Sequence, residues 1–247
     1  AGLIEYANTH FELAQQALSS TDRGYDLLAS KFDYTPFRTP DVLLERARDL
    51  VRERGGATAR GLDLCCGTGA GLRWFRPLCT EEIVGIDRSE GMLAVARERL
   101  ADAPGSARIE LVRGDALETP FEDGRFGLIT CFGAFGHIRV GEEPRFVREV
   151  ARLLAPGGRF VFITSERPPA WAPELWIAKG FNAAMRVRNA LLKPEFIMYY
   201  LTFLLPGARW LCEANGLDVE VVSGAFDKPF ARAKLVIAQK PAKRRPR

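Results

Sequence analysis

From residue 39 onward, short apolar runs alternate with segments whose apolar residues recur every three or four positions, the pattern of strands alternating with amphipathic helices. Thr39-Pro40-Asp41 reads as a helix start; Leu43, Ala47, Leu50 and Val51 then share one face before Gly55-Gly56 stops it. Residues 62–64 predict a strand that runs into the glycine-rich turn Cys66-Gly67-Thr68-Gly69-Ala70-Gly71, with a helix toward Phe75. Residues 83–87 predict a second strand. Ser89 caps a helix with Met92, Ala96 and Leu100 on one face, and residues 109–113 form a third strand ending in Gly114-Asp115. A fourth strand spans 126–131. Pro144 opens a helix with Val147, Val150 and Leu154 on one side, Pro156-Gly157-Gly158 ends it, and 159–164 is the fifth strand.

This rhythm calls for one α/β domain, a parallel sheet with helices on both faces and ligands at the carboxyl ends of its strands; we delimit its core as 39–164. Residues 165–205 interrupt it at a length no ordinary connection needs, so they predict an inserted cap. Beyond it, a helix near 208–214 and strands at 219–222 and 235–239 complete the core over 206–239; the loop between those strands is too short for a crossover, which predicts an antiparallel pair. In the cap, Ile177, Phe181, Ala184 and Met185 predict the apolar side of a helix, with Lys179, Asn182, Arg186 and Asn189 opposite, and Trp171, Trp176, Phe196, Met198, Tyr199 and Tyr200 crowd around it. Such a cap suits a hydrophobic or aromatic small molecule, with Arg186 or Arg188 for a carboxylate or phosphate. A homodimer interface and a helix lying on a membrane surface use the same residue types and stay open.

Composition narrows the class. With 47% hydrophobic and 27% charged residues the chain is that of a globular protein. Its longest apolar stretch, 196–205, falls short of the ~20 residues a membrane-spanning helix needs. The first residues carry no signal-peptide pattern, and the expected location is the cytoplasm. The net charge of +4 comes from five basic residues within 240–247, expected to be a solvated, disordered tail; the body is close to neutral, which argues against nucleic acid as a partner. Five cysteines without paired spacing and only two histidines give no metal site and read as reduced thiols.

The chemistry sits at the strand ends. In Asp63-Leu64-Cys65-Cys66-Gly67-Thr68-Gly69 the glycines let backbone approach a ligand and the next helix offers free N–H groups. Asp87 follows Gly67 by 20 residues and ends the second strand, and Asp115 ends the third. An acid after the second strand suits a ribose diol and one after the third an adenine amino group, so the three acids in register describe an adenosine pocket.

On these residues the chain resembles the class I S-adenosylmethionine-dependent methyltransferases. The resemblance covers 62–162 well and 206–239 in outline, and is carried by residues 62–69, Gly85-Ile86-Asp87, Gly114-Asp115-Ala116 and Leu154-Ala155-Pro156-Gly157-Gly158. It implies a seven-stranded sheet of order 3-2-1-4-5-7-6 with the last strand antiparallel. It also implies S-adenosylmethionine as cofactor and S-adenosylhomocysteine as product. Carried over, Asp63 and the Gly67-Thr68-Gly69 backbone hold the methionine end together with Cys65, which stands where the family usually has glycine; Asp87, with Arg88 and Met92 beside it, takes the ribose; Asp115 and Ala116 take the adenine. The segment Cys131-Phe132-Gly133-Ala134-Phe135-Gly136-His137 borders the transferred methyl, and residues 1–38 correspond to a helical lid in which Tyr25, Phe32 and Tyr34 face the sulfonium. Phe32 also belongs among the expected substrate contacts with Trp171, Trp176, Asn182, Arg186 and Tyr199. His137 is the candidate general base, its ordinary pKa leaving it neutral at pH 7.

The expected reaction is methyl transfer to oxygen, or else nitrogen, of a small hydrophobic or aromatic acceptor, by a monomer or homodimer. Amino-base and cytosine-C5 DNA methylation are disfavoured, because the chain has neither the Asn/Asp-Pro-Pro-aromatic tetrapeptide nor a Pro-Cys pair. Two alternatives are a non-catalytic module that only binds the cofactor, and an NAD(P)-dependent oxidoreductase. The latter lacks its third glycine, since Leu72 stands there, and Asp63 would repel a pyrophosphate.

Overall fold

The structure, a computed structural model, describes residues 19–35 and 38–242. The first eighteen residues of the expected lid and residues 243–247 of the expected tail lie outside them. The chain runs through α1 (Thr21–Leu28), a 3-10 turn (Ala29–Tyr34), α2 (Asp41–Gly55), β1 (Thr58–Leu64), α3 (Ala70–Phe75), β2 (Cys79–Asp87), α4 (Glu90–Arg99) and β3 (Arg108–Arg113). It continues with β4 (Phe126–Cys131), α5 (Glu143–Leu153), β5 (Leu154–Ser165), α6 (Pro173–Leu191), α7 (Gly207–Ala214), β6 (Asp218–Val222) and β7 (Ala233–Gln239).

The seven strands form one sheet in the order β3-β2-β1-β4-β5-β7-β6. Pairs from β3 to β5 are parallel, and β7 is antiparallel to both neighbours, as the short β6–β7 connection requires. Alternate residues of the central strands feed two cores. Leu62, Leu64, Ile129, Phe160 and Phe162 pack with α5 and α7 on one face, and Ile83, Leu128, Val161 and Ile237 with α2, α3 and α4 on the other. This sandwich holds the carboxyl ends of β1, β2, β3 and β4 in a row. Ser89 Oγ accepts the Met92 N–H at 3.0 Å and fixes the start of α4 as expected.

Several boundaries and one face depart from the sequence reading. β1 and β2 each start four residues earlier than expected, at Thr58 and Cys79. α5 stops at Leu153, because Leu154 already pairs with Phe126 and β5 runs through Pro156-Gly157-Gly158. Lys240, expected in a solvated tail, is instead bonded into the fold: its ammonium donates to the carbonyls of Ala151 and Leu154 at 2.7 and 2.8 Å, satisfying acceptors left free at the end of α5.

The face that departs is on the cap. α6 turns Leu175, Asn182, Met185 and Asn189 inward, while Ile177 and Ala184, expected to be buried, lie outside. The reason is the extended segment 196–200, whose backbone has no strand to pair with. Asn182 donates to the Tyr200 carbonyl and accepts its N–H, both at 2.8 Å, and Asn189 does the same for Phe196, both at 3.0 Å. Two side-chain amides thus replace a missing peptide partner, and burial of polar groups is permitted because every bond is made.

Candidate active site

A cavity of ≈ 490 Å³ opens at the carboxyl ends of β1, β2, β3 and β4, roofed by α1 and by the cap segment near Glu195 and Ile197. Of the residues expected around a cofactor, Tyr25, Asp63, Cys65, Gly67, Thr68, Asp87, Arg88, Met92, Asp115, Ala116 and Phe132 all line it. Gly69 and Cys131 do not. Gly69 takes the left-handed turn that opens α3, with φ +88°, and packs toward Leu100; Cys131 is fully buried behind the wall that Phe132 presents.

The acids differ in their surroundings. Asp63 is 2% exposed, accepts a hydrogen bond from the Thr130 hydroxyl at 2.6 Å, and has no cation beside it among the described residues, so burial pushes its pKa up to about 7. Gly71 permits this placement, since a Cβ there would stand 2.4 Å from the carboxylate. Asp87 accepts the N–H groups of Gly67 at 2.8 Å and Ser89 at 2.9 Å, tying the glycine-rich turn to the start of α4; burial raises its pKa, opposed by those bonds. Asp115 accepts from Leu117 N–H at 2.9 Å and stands 3.5 Å from Arg88. Cys65 carries φ +54°, a left-handed conformation that costs a side-chain-bearing residue about 1–2 kcal/mol and that glycine adopts freely.

Acids on α1 and the turn after it fasten this roof. Asp22 pairs with Arg88 at 3.1 Å, Asp26 accepts from Ser89 Oγ at 2.6 Å and Gly91 N–H at 2.9 Å, and Asp33 accepts from Thr68 Oγ1 at 2.7 Å and pairs with Arg99. Tyr25 and Phe32 meet edge to face at 5.9 Å on the cavity side, as expected, although a 3-10 turn rather than a continuous helix brings them together. Tyr34 points away and is 88% exposed.

His137 stands where three segments meet. Its Nδ1 is 2.7 Å from the Ile197 carbonyl, which only accepts, so Nδ1 carries the proton. Nε2 therefore accepts the Tyr25 hydroxyl, also at 2.7 Å. Burial holds the His137 pKa below its ordinary value and the Tyr25 pKa above its own, so both are neutral at pH 7. Beside this junction, Tyr199 N–H donates to the Gly136 carbonyl at 2.8 Å, Ile197 N–H donates to Thr21 Oγ1 at 2.7 Å, and Arg139 pairs with Glu195.

Among the residues expected to contact substrate, only Phe32 lines the cavity. Trp171, Trp176 and Arg186 lie on the outer side of the cap, Asn182 is spent on the Tyr200 backbone, and the Tyr199 hydroxyl accepts from Asn189 at 3.2 Å. The cavity instead recruits Arg145 from the first turn of α5, and Arg38, Ile138, Arg139, Glu195 and Ile197 from connections between elements. Ile197 was visible only as part of the apolar run 196–205, and the arginines had no pattern to distinguish them from surface charges.

Comparison with known proteins agrees with this geometry. The family profile described as a methyltransferase domain matches residues 62–158. A demethylmenaquinone methyltransferase of Staphylococcus aureus (strain MRSA252) is 34% identical over 177 residues, 66% of this chain and 70% of the relative. The YcgJ protein of Bacillus subtilis superposes with a TM-score of 0.57 at 21% identity, over 79% of this chain and 98% of that one. Phosphoethanolamine N-methyltransferase 2 of Haemonchus contortus, solved with phosphomonomethylethanolamine and S-adenosylhomocysteine, gives 0.61 at 20% identity over 90% of this chain and 58% of its own. The sheet order, the cavity at its strand ends and this sequence identity place the chain in one family: it belongs to the class I S-adenosylmethionine-dependent methyltransferases.

Proposed function

We propose that the protein methylates a small hydrophobic acceptor bearing an aromatic hydroxyl, at the oxygen or at a ring carbon activated by it. The observation that carries this reading is the Tyr25–His137 pair on the cavity wall. A neutral imidazole whose only free nitrogen accepts a phenol is arranged to receive a proton, and aromatic and aliphatic side chains, Phe32, Phe132 and Ile138 among them, supply an apolar lining. The relative named for demethylmenaquinone supports a ring carbon, beside the oxygen or nitrogen read from the sequence.

The residues present fit the cofactor. Asp63 and Asp87 bring two carboxylates to one buried wall with no basic partner for Asp63 among the described residues, an arrangement that a cationic ligand relieves. We assign Asp63 and the Gly67-Thr68 turn to its amino-acid end, Asp87 to its ribose, and Asp115 with Ala116 to its adenine. When bound, S-adenosylmethionine supplies an electrophilic methyl group. The chain's part is to hold, orient and exclude water: the acid-fastened roof over Tyr25 closes the cavity, and the rings of Tyr25 and Phe32 favour a cation near them by about 0.5–2 kcal/mol. As the acceptor hydroxyl loses its proton to the Tyr25 oxygen, the Tyr25 proton passes to His137 Nε2, leaving an imidazolium whose Nδ1–H still donates to Ile197.

The test is turnover of phenols of graded acidity by wild type, Tyr25→Phe and His137→Gln. For weakly acidic phenols each variant is expected to lose about a hundredfold, with strongly acidic phenols nearly unaffected and S-adenosylhomocysteine affinity retained. Equal turnover across the series in all three proteins would overturn the proton-relay assignment, and methylation of amines alone would overturn the acceptor class.

A further inference from the structure

The outer face of α6 is the feature that the chemistry above leaves unused. Because Asn182 and Asn189 occupy the inner side, the helix presents Trp176, Ile177, Gly180, Val187 and Leu191 to solvent; Trp176 is 59% exposed, Ile177 72%, Val187 59% and Leu191 77%. At about 100° per residue these positions fall within one sector that contains no charged side chain. Lys179 and Arg186 border it on one side, and the Lys179 ammonium lies 4.4 Å from the Trp176 ring centre. Trp171, 78% exposed, extends the patch just before the helix starts.

We infer that this face docks on an anionic lipid bilayer surface. Two observations favour a bilayer over a second copy of the chain. The first is charge: residues 165–205 carry five basic and three acidic side chains, net +2, whereas the rest of the chain before Lys240 is net −3. Two such caps facing each other repel; an anionic leaflet attracts the cap and not the part of the chain outside it that precedes Lys240. The second is shape. A 19-residue helix is about 28 Å long, and one face about 10 Å wide offers on the order of 300 Å², well below the ~800 Å² per partner of a stable dimer. A helix lying in the headgroup region needs only such a stripe, apolar side inward and basic residues at its border, with indole rings at the polar–apolar boundary. The face belongs to the same helix that clamps residues 196–200, and so the lipid contact would sit on the element that carries the Ile197 wall of the cavity. The inference does not depend on which acceptor the enzyme uses.

The experiment is flotation of the full chain with phosphatidylcholine vesicles with and without phosphatidylglycerol, comparing wild type with the double variant Ile177→Glu/Val187→Glu. Both side chains are exposed, so the variant should keep its circular dichroism spectrum and its S-adenosylhomocysteine affinity. Wild type is expected to partition at least tenfold more onto the anionic vesicles, with blue-shifted tryptophan fluorescence, and the variant to lose that partition. Three results overturn the proposal: equal partition onto neutral vesicles, undiminished partition of the variant (which would assign binding to the basic residues after 242), and a lipid-free dimer that the substitutions dissociate while vesicle binding is absent.

Discussion

With Asp63 assigned to the cationic end of the cofactor, as proposed above, its burial without a cation among the described residues makes cofactor binding a proton-releasing step. Its carboxyl is raised from 3.8 to about 7 because β1 and α3 shield it from water and only the Thr130 hydroxyl and the Leu72 N–H stabilise its charge. In the unliganded protein the native state therefore binds more protons than the unfolded chain between about pH 4 and pH 7. The corresponding stability, about 4 kcal/mol, is present at low pH and is lost as pH rises through that window. A cationic ligand beside Asp63 reverses the preference and requires the ionised form. With its pKa at about 7, roughly a tenth of Asp63 is ionised at pH 6 and roughly nine tenths at pH 8, so its contribution to S-adenosylmethionine affinity should rise about tenfold across that interval, with about half a proton released from it per binding event at pH 7. Calorimetric titration in buffers of different ionisation enthalpy measures both quantities. Asp63→Asn keeps a side chain that accepts from Thr130 but cannot ionise; it should bind more weakly at pH 8 and lose the Asp63 share of the pH dependence. The ligand's own amino group titrates identically with either protein, so the difference between them isolates Asp63. An identical slope in wild type and variant, or the same number of protons exchanged by both at pH 7, would refute the argument.

Other expectations follow from single contacts. Asn189→Ala leaves the buried N–H and carbonyl of Phe196 unpaired, which should loosen the cap by about 2 kcal/mol and raise the rate of limited proteolysis within 192–200 by about thirtyfold. Cys65→Gly removes a side chain from a left-handed backbone position, so the melting temperature should stay level or rise and cofactor affinity should persist; a fall in either would show that the thiol packs to advantage. Removing residues 241–247 should leave thermal stability unchanged, whereas Lys240→Met should lower it by about 1–2 kcal/mol, because two helix-end carbonyls lose a charged donor.

The sheet and the turn were legible because their signals are local. The inner half of β2, Ile83 to Ile86, is an apolar run followed by Asp87, and the turn at Gly67 needs its glycines for backbone reasons that hold whatever surrounds it. The three acids were legible for the same cause: each lies within two residues of a strand's carboxyl end, and parallel strands end together. What escaped is whatever depends on a partner far along the chain. Asn182 and Asn189 read as the polar side of the cap helix, and Asn182 as a substrate contact, because nothing local announces that residues 196–200 will need amide partners. His137 reads as a lone base until Tyr25, 112 positions earlier, and Ile197, 60 positions later, fix its tautomer. Trp171 and Trp176 read as substrate contacts on composition alone, and only the orientation of α6 sends them outward.

The asparagine clamps also set how the cap would come away. Its attachment includes directional hydrogen bonding to Phe196 and Tyr200, and the apolar side chains α6 buries are Leu175 and Met185, so undocking it would uncover little apolar surface beside the two sheet cores. Denaturant reads newly exposed area, and a bulk unfolding curve would pass over such an event with almost no change in slope. Amide hydrogen exchange reads broken bonds, and it should resolve the backbone N–H groups of Phe196 and Tyr200 as a separate unit that opens at lower free energy than the sheet beneath.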